Sequence, residues 1–386
     1  MSAMPDFIDA ARDFVPLLKE RAPEIEQARQ LPQDLAAAFQ RAGFYSMLVP
    51  KTYHGAELDL PAYIQVIQTL AQGDGSAAWC VMIGSTSGIL SAYMPEGAAR
   101  ELFTETSDTI VAGVFAPRGK AVAAAGGYQI NGEWQWGSGS PNAAWIAGGC
   151  MMIKDGEIER MSNGMPLSRM MLMPAADVEL LDTWHVSGLC GTGSTDFRAR
   201  DVFVPKGRGV SLVADTPLAR PLYRFPVFAL LAAGVASVAL GVGRAALDEL
   251  VAFAGVKTPE GAAKPLAGRQ DTQIKVCEAE AGLRSASSWL REVVEAAWED
   301  ATTKGEIGLD QRRDMRVAFV HATRAAAGAA DIAYNLGGGT SVYRRSALQR
   351  CFRDVHVATQ HMMVGTPVLE QAGRLFLGLK TDVSTF

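Results

Sequence analysis

Two groups of side chains along this chain have the types and spacing to hold a flat, polar-edged ring. From Asp182 to Pro205 the sequence reads DTWHVSGLCGTGSTDFRARDVFVP. Within it, Gly191, Thr192, Gly193 and Ser194 combine glycines, which permit φ > 0 and close backbone approach, with hydroxyls that can donate to or accept from a heterocycle edge. A tight hairpin turn would account for the same glycines. The second group is NGEWQWGSGSPNAAW, where Ser138 follows Trp134 and Trp136; its hydroxyl could bind a ligand or simply satisfy a turn. Near the far end of the chain, His361 carries an imidazole that could titrate near neutrality. A lone histidine on a helix is more often structural, which is how His356 is read.

These residues need a scaffold, and length and composition bound it. The 386 residues, 48% of them hydrophobic, can bury a large core in two or three layers or domains. The formal charge of −5, with no Lys/Arg stripe or basic tail, gives no reason to expect a nucleic-acid partner. Five scattered cysteines without CxxC or Cys/His spacing indicate neither a disulfide framework nor a metal site, so a reducing cytoplasm is expected. MSAMPDFIDAARDF contains no apolar leader core. The apolar run from Pro226 to Gly243 is at the short limit for a membrane span and is read as a buried bundle helix, with no membrane partner.

Periodicity divides the chain in three. Phe7, Ala10, Ala11, Phe14, Leu17 and Leu18, then Leu35, Ala38 and Phe39, recur at helical spacing, predicting an α-domain over residues 1–110. Short β-type runs (IVAGVF, YQINGEWQW, AAWIAGGCMMI, MMLMP) follow. With turn signals at Gly126-Gly127 and Asn131-Gly132, they predict an antiparallel β-domain over 111–210. Trp184-His185-Val186 and Val202-Phe203-Val204 read as strands, the second closed by Pro205. A linker from Arg208 to Arg224 leads into helices over 211–386. The second of these is read with Ile274, Cys277, Ala281, Leu283, Ala286 and Leu290 inward, and the third, from about Leu309 to Leu336, is alanine-rich, suited to a four-helix bundle with subunit contacts. Gly337-Gly338-Gly339 sits between helices, where a C-cap would demand one glycine, not three. The fold class is therefore α+β.

Several of these stretches resemble, in order, the acyl-CoA dehydrogenase superfamily: Val49, Pro50 and Gly55; Asp74, Ser76 and Trp79; GEWQWGSG; GTGS followed by DVFVP; and the Gly337–Ser341 loop. The spelling TWHVSGLCGTGS is similar to one branch, the group D two-component flavin-dependent monooxygenases that hydroxylate phenols and indoles. The resemblance implies an acyl-CoA dehydrogenase-like fold and a cofactor, reduced FMN or FAD, delivered by a separate flavin reductase. No GxGxxG opening a βαβ unit offers a site for NAD(P)H. It places Trp136, Ser138 and the Gly191–Ser194 segment at the flavin ring, with Ser138 beside N5 and helping to hold a C4a-hydroperoxide. It places Arg269 and Gln273 near the flavin phosphate or adenylate, although a solvated helix face is the plainer reading. Gly337, Gly338 and Gly339 would reach the flavin of an adjacent subunit of a dimer or tetramer. It makes His361 the residue that binds an oxygen or nitrogen on the substrate, orienting and activating it, or donates a proton to the peroxide-forming flavin, and Ser85, Asn142, Trp145 and Met362 walls of an apolar pocket. Two positions depart from the branch. Ser85, Thr86 and Ser87 stand where a histidine or aromatic residue is common, and Asn142 replaces a histidine.

Acyl-CoA dehydrogenases remove an α-proton with a glutamate, usually in a Tyr-Glu-Gly-Thr motif. The corresponding text is Gln360-His361-Met362-Met363-Val364-Gly365-Thr366, without a carboxylate, and losing such a base removes roughly 10²- to 10⁴-fold in rate. The expected activity is therefore hydroxylation of an indole-like or phenolic compound with O2. Two rivals remain: an acyl-CoA dehydrogenase or oxidase whose base has moved to Glu370, and a non-catalytic oligomeric scaffold.

Overall fold

Asp6 opens the first helix by accepting from the backbone N–H groups of Ile8 and Asp9, two donors that a helix start leaves without partners. In the computed structural model, which describes residues 6–103, 109–384 and 386, this helix, α1 (Phe7–Ala28), is followed by four more. They are α2 (Gln33–Arg41), α3 (Leu60–Ala71), α4 (Gly75–Ser87) and α5 (Glu96–Phe103). The leader reading of residues 1–5, and the part of the expected helical span at 104–108, lie outside the described residues. α4 is buried on nearly every side, a core helix rather than an amphipathic one, and starts where the Asp74 carboxylate accepts from Ala77 N–H at 2.8 Å.

All strands among the described residues fall between residues 111 and 210. They are β1 (Val111–Ala124), β2 (Gly127–Gly137), β3 (Trp145–Lys154), β4 (Glu157–Ile158), β5 (Ser168–Pro174), β6 (Glu179–Leu181), β7 (Thr195–Pro205) and β8 (Gly209–Val210). They form one sheet in the order β6-β7-β2-β1-β3-β5-β8, with β4 on β3. The sheet is mixed, which corrects the antiparallel expectation. β3 docks on the far side of β1 instead of beside β2, so it runs in the same direction as its neighbour, and the pair is parallel. The Gly126-Gly127 turn forms as read, with Gly126 at φ 79°. Asn131-Gly132 does not turn the chain; it lies inside β2 at a register shift. Its glycine makes room for the Trp134 ring, since a Cβ at Gly132 would lie 2.7 Å from it, as would one at Gly119 (2.2 Å) or Gly148 (2.8 Å). Trp134 is stacked on Phe197 and donates to Gly149 O, the centre of one sheet face's core. The 184–186 segment is not a strand, because β6 stops at Leu181 and Arg29 of the α1–α2 turn holds Asp182 and the Trp184 carbonyl.

The chain continues through α6 (Val227–Ala254), α7 (Gln270–Thr303), α8 (Leu309–Gly337), α9 (Ala347–Thr359) and α10 (Thr366–Phe376). α6 is long and apolar enough to cross a membrane, but 83% of its most apolar window is buried inside the protein. On α7 the inward stripe runs through Ala279, Leu283, Ala286, Leu290 and Val294. Ile274, Cys277 and Ala281, read as inward, are exposed because they lie on a stripe rotated away from it. The N-terminal and C-terminal helices share one continuous core, from Phe7 to Val368. One face of the sheet closes over Val49, Tyr53, Leu102 and Phe103.

Candidate functional site

Strand register brings the two hydroxyl segments together. Gly137 at the end of β2 pairs with Thr195 at the start of β7, so the residues just beyond, Ser138 and Ser194, leave the sheet side by side. Gly139 at φ 75° turns the chain, and its N–H donates to Thr192 O at 2.8 Å, tying the two loops. α4 adds Trp79, whose indole N–H donates to Ser138 Oγ at 3.0 Å.

The contacts form a chain with only one consistent direction. Thr192 Oγ1 donates to the Leu189 carbonyl at 2.9 Å. Its proton thus assigned, Thr192 must accept from Ser194 across their 2.6 Å contact. Ser194 must then accept from Ser138, also at 2.6 Å, and Ser138 accepts from Trp79, which can only donate. Every proton from Trp79 to Leu189 is placed. Ser138, 7% exposed, keeps one lone pair and can accept one further hydrogen bond, but has none left to donate. Next to it, Trp136 holds φ 69°, rare for a non-glycine residue, with 65% of its surface exposed.

His361 lies against Trp79, its ring edge-on at 5.6 Å. Arg353 and Asp354 lie within α9. α9 ends at Thr359, and His361 sits on the turn before a 3-10 segment (Met362–Val364) that it caps, Nδ1 accepting from Met363 N–H at 3.3 Å. That acceptor role leaves the proton of a neutral ring on Nε2. The expected near-neutral titration is also corrected: burial, with the positive charge of Arg316, pushes the imidazole down to about 4. Near pH 7 it is a neutral Nε2–H donor. Arg316 of α8, 2% exposed, donates from Nη1 to Phe228 O at 2.9 Å and toward Met363 Sδ at 3.9 Å. It has no carboxylate partner among the described residues, its Nε is buried without a partner, and burial draws its pKa down to about 10.

α9 clamps the 187–195 loop from behind. Asp354 accepts from Leu189 N–H at 2.6 Å, Arg353 donates to Ser187 O, and a Cβ at Gly188 would lie 2.4 Å from the Arg353 backbone. Asp354 is buried near Asp74, and burial followed by that second carboxylate raises it to about 7, against the Leu189 N–H and Arg350.

Other residues singled out from the sequence lie elsewhere. A Cβ on Gly191 would meet Ile25 at 2.2 Å and one on Gly193 would meet Pro141 at 2.9 Å, so both glycines seat the loop against α1 and its neighbours. Ser85 is fully buried, its hydroxyl bonded to Val81 O at 2.7 Å inside α4, and is not a pocket wall. Asn142 donates to Leu31 O and Gln33 Oε1. The Trp145 ring packs under the Arg208 guanidinium at 4.7 Å, and Met362 is 75% exposed. Arg269 pairs with Asp271, and Gln273 donates to Ala267 O. Gly337 is packed against Ser341 and Leu348, whereas Gly338 and Gly339 are open, and Lys257 donates to Gly337 O and Thr340 Oγ1. Glu370 is exposed on α10. A cavity of about 410 Å³ beside the His361 turn is lined by Thr323, Arg324, Gln360 and Thr366 among others; it is mainly polar, and none of the expected apolar walls borders it. Sequence reading missed Trp79 as a positioning group and Arg316 altogether. The signal for Arg316 was its place on the apolar stripe with Phe319, Val320 and Thr323.

Comparison with known proteins adds a second line. Residues 5–99 match the profile of the acyl-CoA dehydrogenase N-terminal domain and residues 233–366 that of the C-terminal domain. An indole-3-acetate monooxygenase of Pseudomonas putida is 33% identical over 97% of this chain and 93% of its own. The oxygenase subunit HsaA of a flavin-dependent monooxygenase from Rhodococcus jostii is 29% identical over 90% and 92%. The solved structure of XiaF from Streptomyces sp., in complex with FADH2 and glycerol, superposes with a TM-score of 0.87 at 26% identity, covering 98% of this chain and 96% of that one.

Proposed function

The chain belongs to the acyl-CoA dehydrogenase family, in its flavin-dependent monooxygenase branch, and from that premise we propose that it hydroxylates a small aromatic compound with O2 and reduced flavin. The observation that carries this reading is the direction of the hydroxyl chain. Ser138 can accept one more hydrogen bond and donate none. A reduced isoalloxazine carries N–H at N5 whereas the oxidised ring offers only an acceptor there, so the free lone pair of Ser138 fits the reduced cofactor. Ser138 would hold that edge, Ser194 and Thr192 would fix Ser138, and the exposed Trp136 face would lie alongside. When bound, reduced FMN or FAD supplies the electrons and activates the O2 from which one atom is transferred.

The chain's own residues do the rest. Trp79 aims Ser138 through its N–H. Neutral His361 presents Nε2–H to a substrate oxygen or nitrogen, orienting the ring by a hydrogen bond instead of transferring a proton at neutral pH. α-Proton abstraction from a thioester finds no base here, because Glu370, the one relocated candidate, is exposed. Two curated relatives are named for indole-3-acetate and another is called the oxygenase component of a resorcinol hydroxylase. These names support an indole or phenol substrate and a separate reductase as partner. We place the protein in the cytoplasm as a homo-oligomer, in which Arg269, Gln273 and the open Gly338-Gly339 loop serve the flavin of a neighbouring copy.

The test is 18O2 incorporation. The protein, an unrelated flavin reductase with NADH, FMN or FAD, and a panel of indole, indole-3-acetate, phenol and resorcinol should yield a product heavier by one labelled oxygen. Bleaching of bound FAD by an acyl-CoA, with no labelled product from any aromatic compound, would overturn the proposal.

A further inference from the structure

Among the described residues Arg316 is the most deeply buried guanidinium, it has no carboxylate partner, and it adjoins the site. Arg312, Arg208 and Arg244 also leave Nε without a partner, but Arg312 is only half-buried, and the other two each pair with an acid: Arg208 with Glu101, Arg244 with Asp248 and Glu280. Arg316 does not. Its Nη1 is taken by Phe228 O and Met363 Sδ, while Nε and Nη2 make no hydrogen bond among the described residues. Those two nitrogens form one edge of the planar guanidinium, and their parallel N–H bonds match the two oxygens of a carboxylate. A buried cation left unpaired is costly, and replacing Arg316 with a hydrocarbon would relieve that cost, so folding does not explain the residue. Its neighbours do. Arg316 reaches Met363, the residue whose N–H His361 holds, and its charge is felt at the His361 ring, which touches Trp79.

Resting on the monooxygenase reading, we propose that the substrate is an aromatic acid, and that the Nε–Nη2 edge of Arg316 binds its carboxylate while His361 and Trp79 border the ring to be hydroxylated. A flavin phosphate is the other source of an anion. It is disfavoured by position, because Arg316 lies by the Trp79–Ser138 end, where the ring of the flavin is placed.

The experiment compares indole-3-acetate with its neutral isostere indole-3-acetamide by equilibrium titration of the full-length protein. The wild type should bind the acid tighter by roughly 10- to 100-fold, and in Arg316→Met that ratio should fall to near one, with Arg316→Lys between them. Because Met removes an unpaired buried charge, its Tm should equal or exceed the wild type's; Arg316→Gln serves as a second uncharged variant. A wild type that fails to prefer the acid by tenfold, or a ratio unchanged in both uncharged variants, overturns the proposal. So does a loss of affinity for reduced FMN, but not for reduced riboflavin, in Arg316→Met, which would assign the anion to the flavin. If the acid preference appears but neither compound is hydroxylated, the anion site stands and the monooxygenase reading fails; hydroxylation of both without preference gives the reverse.

Discussion

The hydroxyl chain and the Arg316 corner meet at the Trp79–His361 ring contact, and they are built on opposite terms. From Trp79 through Ser138, Ser194 and Thr192 to the Leu189 carbonyl, every proton has a partner, and Ser138 keeps a lone pair to accept with. At Arg316 a buried guanidinium keeps its Nε with nothing opposite it. Satisfied polar groups in a low-dielectric interior are rigid and set in advance, while an unmatched one raises the energy of the free protein and makes a complementary ligand bind better. The first arrangement suits a cofactor that arrives in the same reduced form at every turnover, since its partner must be oriented identically each time. The second suits a substrate, which must be distinguished from similar molecules.

Breaking the satisfied side should have the largest effect. Ser138→Ala removes the only acceptor of the Trp79 N–H and interrupts the relay to Ser194. Hydroxylated product per reduced flavin should fall by about 10²-fold, measured by product chromatography under limiting reductase. Trp79→Phe keeps the ring against His361 but deletes the donor, leaving Ser138 free to rotate; the loss should be about tenfold. The informative readout is the ratio of affinities for reduced and oxidised FMN in anaerobic titration. That ratio should drop in both variants, and equal preference for both redox forms in the wild type would show that the direction of the relay selects nothing.

His361 stands between the two regions, and its pH behaviour sharpens the contrast. With its pKa pushed down to about 4, the neutral imidazole persists over the whole working range. The wild-type rate should therefore show no step near 6.5, where an ordinary histidine titrates. His361→Ala should lower kcat by about tenfold without introducing a new inflection between pH 5.5 and 8. A clear step near 6.5 that vanishes in His361→Ala would mean that the ring takes up a proton during turnover, and the orienting role would have to be replaced by an acid–base one.

The sequence carries the helix, strand, helix order, because periods of 3.6 and 2 are written locally. Pairing is not local, so β3 beside β1, and hence the parallel pair, could not be read. The same limit shapes the site. Ser138 and the Gly191–Ser194 segment each stand out, but that they touch depends on Gly137 facing Thr195 across two strands. Gly191 and Gly193 look like a ligand cradle in isolation; only the packing of Ile25 and Pro141 shows what fills the space. The depressed pKa of His361 was illegible because it comes from burial by segments distant in sequence and, next, from Arg316, 45 residues earlier on another helix. Acid side chains on α9 show the same dependence on distant neighbours, with a measurable consequence.

Asp354 is buried behind the hydroxyl chain, close to Asp74, and is raised from 3.8 to about 7. The protonated form is thus favoured in the folded state, which binds more protons than the unfolded chain between these values. Stability from this group is fully present below about 4 and is lost as pH rises toward 7. Asp354→Asn mimics the neutral acid and keeps an oxygen to accept from Leu189 N–H. Its stability relative to wild type should rise by about 1–4 kcal/mol between pH 4 and pH 7.5, read from urea unfolding at several pH values. The effect on turnover should be smaller than that of Ser138→Ala, because the clamp holds the loop but touches neither cofactor nor substrate. A difference that stays constant across this range would mean that Asp354 is ionised throughout and that Arg350 and the Leu189 N–H outweigh its burial. The loop bearing Thr192 and Ser194 would then be held by charge, and its order should weaken as salt is added.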